Sequence, residues 1–416
     1  MKLKPIALAT SLLFSAYGMA HEIGQEHEHV EGGWNAKAGF VSDVDVESRL
    51  WNPRGKSQEE LMARALFLAE AYDLKRTPEQ MEKAEAARKK YSDAVVINSV
   101  MPVSVGVVGH GEKNFKAGIQ RNIDAGMTLT SATLYAFPGG NGEKTIYQTA
   151  TDSDKVLKQM SLSRISTVSD IYKAKQEGKT AFVYNTQGSD PAIDDPEAHA
   201  KKFAEHGIKV ANFTYNNNNA FAGGGSTQDL GLTDLGVEWV KHAQANGVVI
   251  DVSHSSNQAT IDAAKVSTKP MVASHSNAAA LHNVSRNMSD EAIIAIGSTD
   301  GAVCPTGVGL FLNKESDASP ERYVEHVEYI ANLIGRDKVC FSTDYVHGIL
   351  DWLERDIGNA DVYPPELGFG TPASNIAPEN IWDVVALLEA KGWTDKEIRG
   401  FLGENLMRVY AANWEG

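Results

Sequence analysis

The sequence predicts an α/β protein: a (β/α)8, TIM-like barrel with helices before it and a helical extension after it. Eight short runs rich in apolar and β-branched residues occur along the chain, and most are followed by the pattern of a crossover helix. An open doubly wound sheet is the alternative, but residues 103–111 contain no G-x-G-x-x-G phosphate turn. The predicted strands are residues 94–97, 128–134, 180–184, 208–213, 248–252, 270–273, 302–304 and 338–341.

Helices flank the predicted barrel on both sides. Ser57 has the side chain of a helix N-cap, and Thr77 followed by Pro78 is typical of the start of a second helix. These signals predict a pair of N-terminal helices within residues 58–93. The tail, residues 379–410, has a helical pattern, so the barrel with its C-terminal helices is predicted to span residues 94–416.

The N-terminus predicts export. Lys2 and Lys4 are followed by an apolar stretch too short to span a bilayer, and small residues precede His21. This pattern is typical of a signal peptide over residues 1–20, with an uncleaved signal anchor as the alternative. Residues 21–57 then form an N-terminal extension. We expect a periplasmic or secreted protein without a stable membrane anchor.

The composition excludes several classes of protein. Acidic residues outnumber basic ones by 54 to 39, and the net charge of −15 argues against nucleic acid or anionic lipid as a partner. The two cysteines, Cys304 and Cys340, are too few for a thiolate zinc site, and they form either a disulfide or two buried thiols. The sequence also leaves open whether the chain forms a homodimer.

Chemically active residues follow three of the predicted strands. In a barrel of this kind, working residues lie at the carboxyl ends of the strands. His254 follows the fifth run, His275 follows the sixth, and Asp344 follows the eighth. Because neighbouring strands lie about 4.8 Å apart, we expect the two imidazoles to converge on one metal ion. Asp344 would then lie across the mouth, where it could move a proton.

Six segments of the sequence carry a family resemblance: VANFTYNNNN, IDVSHSS, KPMVASHSNAAAL, SRNMSDEAI, VCFSTDY and GENLMRVY. They resemble the membrane dipeptidase family, the renal-dipeptidase-like metallopeptidases of the amidohydrolase superfamily. The resemblance extends from about residue 90 to the C-terminus. It implies a (β/α)8 barrel with a two-metal, usually zinc, site that hydrolyses dipeptides.

Four positions match the functional residues of the family. The resemblance assigns His254 and His275 to the second metal. It assigns Arg286 to the substrate carboxylate, for which a planar and permanently charged side chain is well suited. It assigns Asp344 to acid/base catalysis.

Other positions depart from the family pattern. The His-x-Asp motif after the first strand is replaced by Asn98 and Val100, and the bridging glutamate after the third strand is replaced by Gln187. A carboxamide cannot bridge two cations as a carboxylate does. The histidine that polarises the substrate is replaced by Tyr215, whose hydroxyl can still donate to an oxyanion. Asn98, at a former ligand position, is expected to contact substrate.

These replacements set the expected metal content. Two close dications need anionic ligands, so we expect at most one tightly bound Zn²⁺, held by His254, His275 and Gln187. Two ions would require a different alignment of the first strand, with one of three other residues supplying a ligand. Those residues are Asp190, Glu112 and His110.

These residues are compatible with two functions. The first is an exported metallohydrolase that acts on dipeptides or other small amides, with Asp344 and Tyr215 as catalytic residues and Arg286, Tyr215 and Asn98 in contact with substrate. The alternative is a metal-poor, catalytically degenerate barrel that binds a small peptide or peptide-like metabolite as a binding or maturation factor.

Overall fold

A computed structural model describes residues 51–106, 111–136, 145–226, 229–363, 365 and 368–415. The predicted signal peptide, nearly all of the N-terminal extension and His110 lie outside these residues. Seven parallel strands form one sheet in which each strand pairs with the next along the chain. The strands are β1 (Ile97–Met101), β2 (Leu129–Tyr135), β3 (Ala181–Thr186), β4 (Ile208–Asn212), β5 (Val249–Asp251), β6 (Val272–Ala273) and β7 (Ala302–Val303).

The strands form where the sequence has its apolar, β-branched runs. Every residue of the seven strands is buried, as expected for a parallel sheet that is covered on both faces. Helices connect most successive strands, which gives the α/β alternation of a TIM-like fold.

The eighth predicted strand is corrected by the structure. Over 338–341 the described chain forms one parallel bridge, between Val303 and Val339, instead of a strand. The preceding 3₁₀ turn, Arg336–Lys338, takes up the start of the apolar run and leaves few residues for pairing. The segment still lies between the first and last strands, because Cys340 N donates to Val303 O at 3.1 Å and Ser99 N donates to Phe341 O at 3.4 Å.

A disulfide joins Cys304, just after β7, to Cys340 in this eighth segment. It decides the alternative that the sequence left open, since the described chain contains no free cysteine. The covalent link holds the short eighth segment beside β7, where only one backbone bridge would otherwise connect them.

The two predicted N-terminal helices are present, and Ser57 and Thr77 form capping boxes at their starts. In the described residues, no helix has both the length and the apolar character needed to cross a membrane. The helices are α1 (Gln58–Glu70), α2 (Pro78–Lys90), α3 (Gly111–Asp124), α4 (Ile146–Gln159), α5 (Val168–Gln176), α6 (Pro196–Glu205), α7 (Asp234–Ala245), α8 (Asn257–Val266), α9 (Asp290–Ser298), α10 (Gly309–Leu312), α11 (Pro320–Ile334), α12 (Ile349–Asp356), α13 (Ile381–Ala390), α14 (Asp395–Arg399) and α15 (Asn405–Trp414).

The amino ends of the strands are closed by the C-terminal helix. A buried cluster brings the first residues of β1 and β2, Ile97 and Leu129, together with Leu406 and Tyr410 of α15. The apolar tail of the sequence therefore seals one end of the sheet, and the carboxyl ends of the strands are left for the site.

The carboxyl ends of the strands are covered by α1 and α12. A separate cluster contains Ala65 and Leu68 of α1 with Leu353 of α12 and the following Ile357. Leu68 and Leu353 also line the cavity beneath this cover. Two distant parts of the chain thus meet above the strand ends.

Candidate active site

His254 lies three residues beyond β5 and has φ of +67°, in the left-handed region that non-glycine residues rarely adopt. Its carbonyl oxygen accepts hydrogen bonds from Gly225 N at 2.7 Å and from Thr214 Oγ1 at 3.2 Å. These bonds stabilise the unusual backbone conformation, and the residue lines the cavity.

A hydrogen bond to Asn216 fixes the tautomer of His254. The Asn216 amide nitrogen donates to Val362 O at 3.2 Å, so its oxygen faces the imidazole, 2.7 Å from Nδ1. An amide oxygen can only accept, and Nδ1 must therefore carry the proton. Nε2 is left with a lone pair, which is the form of histidine that binds a metal ion.

A different hydrogen bond fixes the same tautomer in His275. It lies two residues beyond β6, and Ser274 Oγ is 2.7 Å from its Nδ1. The Ser274 hydroxyl donates to the Asp251 carboxylate, so it must accept from His275 Nδ1–H. Asp251 also accepts the backbone N–H groups of Ser253 and Ser274, each at 3.0 Å. The Asp251–Ser274–His275 chain therefore leaves Nε2 of His275 with a lone pair.

The two imidazoles come together as the sequence predicts. Their ring centroids are 4.8 Å apart, and within the described residues neither buried Nε2 has a hydrogen-bond partner. Burial lowers the pKa of both rings well below the ordinary value, and the charge of Arg286 lowers it further. Both rings are therefore neutral near pH 7. The buried Nε2 of Gln187, which lines the same cavity, also has no partner among the described residues.

Arg286 and Asp344 supply the charges of the cavity. Arg286 is only 5% exposed, and its guanidinium forms no ion pair with any carboxylate of the described chain. Burial raises the pKa of the Asp344 carboxyl to about 7, although the nearby Arg286 charge and a hydrogen bond from Thr306 oppose this rise. A buried cation without a carboxylate partner is a binding position for an anion.

Tyr215 lies against the imidazole of His254. The two rings are stacked with centroids 4.3 Å apart, and the Tyr215 hydroxyl is 3.3 Å from the Tyr363 hydroxyl. Tyr215 lines the cavity. The ring of Tyr215 therefore lies beside His254 at the cavity wall, and its hydroxyl lies next to that of Tyr363.

Asn98 has a different environment from the one we expected. It is fully buried and does not line the cavity. Its amide nitrogen donates to Asn122 Oδ1 at 3.0 Å and to Thr343 Oγ1 at 3.1 Å, while its oxygen accepts from Thr343 N at 3.2 Å. Asn98 therefore links β1 to Thr343, just beyond the eighth segment. It does not lie where a substrate in the cavity could contact it. Val100 is likewise buried.

The residues considered as replacement ligands do not join the histidines. Glu112 is exposed and pairs with Lys116 at 2.5 Å. Asp190 accepts a hydrogen bond from Asn219 at 3.3 Å and does not line the cavity. In the described part of the chain, no group of three His, Cys, Asp or Glu side chains could hold a metal ion.

These residues do not fit a two-metal centre. The described chain places no carboxylate that could bridge two cations beside His254 and His275, and the Arg286 charge opposes a second dication. They fit one ion, because two neutral imidazoles offer unpartnered Nε2 atoms. The unpartnered Nε2 of Gln187 is an amide donor, so only its carboxamide oxygen could act as a third ligand.

Comparison with known proteins places the chain in a family. A family model described as membrane dipeptidase, peptidase family M19, matches residues 135–363, more than half of the 416 residues. The chain belongs to the membrane dipeptidase family. The sequence resemblance is thereby confirmed. Membrane dipeptidases are metal-dependent, typically with zinc.

Solved structures share the fold of this chain. An amidohydrolase from Pseudomonas aeruginosa is 23% identical, with a TM-score of 0.66 over 79% of this chain and 99% of that chain. The probable dipeptidase PvdM from Pseudomonas aeruginosa is 19% identical, with a TM-score of 0.63 over 82% of this chain and 100% of that chain. A metallo peptidase from Rhodobacter sphaeroides, liganded with a phosphinate mimic of the dipeptide L-Ala-D-Ala, is 18% identical with a TM-score of 0.57 over 77% of this chain and 99% of that chain.

Sequence reasoning missed the partners that orient the histidines. Asp251, Ser274 and Asn216 all stand next to predicted strand ends, but their bonds depend on strand register and on the left-handed turns at Asn216 and His254. The only signal was the run of four asparagines that starts at Asn216, since asparagine tolerates the left-handed region.

Proposed function

We propose that this protein is a membrane-dipeptidase-like hydrolase that cleaves a dipeptide or another small amide with a free carboxylate. The observation that carries the proposal is the buried Arg286 guanidinium, which faces the same cavity as Asp344 and His254 and forms no ion pair with a described carboxylate. A substrate carboxylate would supply the missing anion through paired N–H···O bonds.

Asp344 is suited to proton transfer. With a carboxyl pKa of about 7, it is present in both protonation states near neutral pH, so it can accept a proton from water and return one to the leaving amine. Tyr215 can donate a hydrogen bond to the oxyanion that develops on the carbonyl carbon. Hydrolysis adds one water molecule to the amide and gives a carboxylic acid and an amine.

One divalent ion fits the neutral imidazoles of His254 and His275, with Gln187 as a weak third ligand. The chemistry that such an ion supplies when bound is Lewis acidity. The proposal is for at most one tightly held Zn²⁺ per chain, because a carboxamide adds no negative charge to the ligand set.

The second candidate is binding of a small peptide-like molecule without hydrolysis. It is favoured by a specific observation: the described chain has no group of three ionisable ligands, while the carboxylate-binding Arg286 is retained. A pocket that binds its ligand but does not cleave it would serve as a binding or maturation factor.

Turnover and metal content measured on the same samples separate these candidates. A panel of dipeptides is incubated separately with the unmodified protein, the Asp344→Asn variant and the His254→Ala variant. The zinc content of each protein is determined after dialysis. Hydrolysis that disappears in Asp344→Asn supports the hydrolase. Binding of dipeptides without cleavage by the unmodified protein supports the second candidate and contradicts the first. Two zinc equivalents that survive dialysis would contradict the single-ion site.

We also propose that the chain is exported to the periplasm or secreted. The signal-like N-terminus and the Cys304–Cys340 disulfide support this, because disulfides persist in oxidising compartments. Cell fractionation, with N-terminal sequencing of the mature protein, tests it. A cytosolic protein that retains Lys2 and Lys4 would contradict export.

A further inference from the structure

An aromatic wall lines the cavity, and the proposed reaction makes no use of it. We call it the aromatic collar and define it as Phe311, Trp352, Tyr363 and Phe369, all of which line the cavity. Neighbouring rings meet edge to face: Trp352 and Tyr363 have centroids 5.0 Å apart, Tyr363 and Phe369 are 5.4 Å apart, and Phe311 and Phe369 are 6.1 Å apart. These four residues form one continuous chain of aromatic contacts.

The collar connects the two polar ends of the site. At one end, the Arg286 guanidinium carbon lies 5.3 Å from the centroid of the Phe311 ring. At the other, the Tyr363 ring lies 6.3 Å from that of Tyr215, which stacks on His254. A ligand held by Arg286 therefore has aromatic surface alongside it as far as the histidine.

The Trp352 end of the collar adjoins aliphatic side chains. Trp352 belongs to α12, and Leu68 and Leu353 line the cavity near the contact between α1 and α12. Trp352 and Phe369 are only half-buried, so part of each ring remains exposed. The exposed part of each ring is available for an edge-to-face contact with a ring of the ligand.

We infer that the collar selects amides whose acyl half carries an aromatic ring. This rests on the proposed function, since Arg286 must hold the carboxylate of the amine half. With the carboxylate at the Phe311 end, the acyl half extends past Tyr215 towards Tyr363 and Trp352. An aromatic ring is bound there by both burial and edge-to-face contacts, whereas an aliphatic ring of the same size gains burial alone.

The test uses three dipeptides that differ only in the acyl half: phenylalanyl-glycine, cyclohexylalanyl-glycine and alanyl-glycine. Calorimetry gives the dissociation constants, and chromatography of the same samples records hydrolysis. The full chain is compared with Trp352→Leu, with Phe369→Leu and with Tyr172→Leu. Tyr172 is 52% exposed on α5 and serves as the matched control. Thermal unfolding of each variant checks that it is folded.

Phenylalanyl-glycine is expected to bind about tenfold more tightly than alanyl-glycine and severalfold more tightly than cyclohexylalanyl-glycine. This preference should fall to about twofold in Trp352→Leu or Phe369→Leu and persist in Tyr172→Leu. Equal affinity for the two ring-bearing dipeptides, no measurable affinity for any, or a preference unchanged in both collar variants would overturn the inference. A preference without hydrolysis would support the collar and contradict only the hydrolase, whereas hydrolysis without preference would do the reverse.

Discussion

Asp344 is a partly buried carboxyl group at the cavity wall with a guanidinium nearby, and burial has the larger effect on its pKa. The folded protein keeps this proton up to about pH 7, while the unfolded chain releases it near the ordinary value of 3.8. The unfolded state therefore binds fewer protons between these two values. Ionisation of Asp344 lowers the free energy of unfolding as pH rises through this window, and the contribution is constant above it.

Asp344→Asn should remove this decline. Relative to the unmodified protein, the free energy of unfolding of the variant should increase by about 1 kcal/mol per pH unit between about pH 4 and pH 7. Urea unfolding at several pH values measures it. The buried Asp383, whose pKa is also about 7, is present in both proteins and cancels. A difference that does not change with pH would contradict the raised pKa.

Arg286 gives a second prediction at the residue scale. Arg286→Met should weaken phenylalanyl-glycine binding about 10- to 100-fold, because hydrogen bonds to a charged group are lost. The C-terminal amide of the same dipeptide lacks the carboxylate and should bind both proteins about equally. Calorimetry with the two ligands measures both effects. An equal loss for both ligands would show that Arg286 supports the cavity rather than the carboxylate.

The individual site residues differ in how far the sequence reveals them. His254, His275 and Asp344 lie two or three residues beyond predicted apolar runs, so their position at the strand ends can be predicted from the pattern. Asn98 is not readable in this way: its bonds to Asn122 and Thr343 join residues far apart in the chain. Its amide forms hydrogen bonds within the protein interior, and the sequence pattern does not show these contacts.

At the scale of the elements, the eighth segment has little backbone pairing. It has one bridge to β7 and a disulfide that spans 36 residues of sequence. Replacing Cys304 and Cys340 together by alanine should lower the free energy of unfolding by about 2–4 kcal/mol, since the unfolded chain gains the freedom of the opened loop. Urea unfolding of the oxidised protein, the reduced protein and the variant tests this. Equal stability of all three would mean that the disulfide does not constrain the eighth segment.

The elements themselves are largely predictable, with one instructive exception. Ser57 and Thr77 start helices because their side chains satisfy N–H groups of the first turn, a purely local effect. The run 338–341 is as apolar as the other strands, yet a local 3₁₀ turn takes its first residue. A strand also requires a partner in register, and apolar composition alone does not specify that register.

At the scale of the whole molecule, α1 contacts a loop that lies about 306 residues later in the chain. Arg64 of α1 donates to Gly370 O at 2.9 Å and lies over the rings of Trp51 and Phe67. It thereby fastens the segment that carries Phe369 to the N-terminal helix. The sequence predicts α1 but not this contact, because 306 residues separate its partners.

Arg64→Ala should loosen this cover without unfolding the barrel. We expect faster hydrogen exchange in residues 368–371 and a dissociation constant for phenylalanyl-glycine raised about two- to tenfold, while the thermal midpoint changes little. Arg54→Ala, an exposed arginine near the start of α1, is the control. Unchanged exchange in 368–371 would show that Arg64 does not hold the cover.

The hydrogen bonds of Asn98 limit which side chains its position can accept. Asn98 is fully buried, and its amide joins the first strand to Thr343, two residues beyond the eighth predicted strand. A histidine at this position would lose the amide hydrogen bonds with Asn122 and Thr343, and a bound metal ion would have to offset that loss. A single substitution that introduces a metal ligand at this position therefore weakens the fold, and a second metal site would also require compensating changes at Asn122 and Thr343.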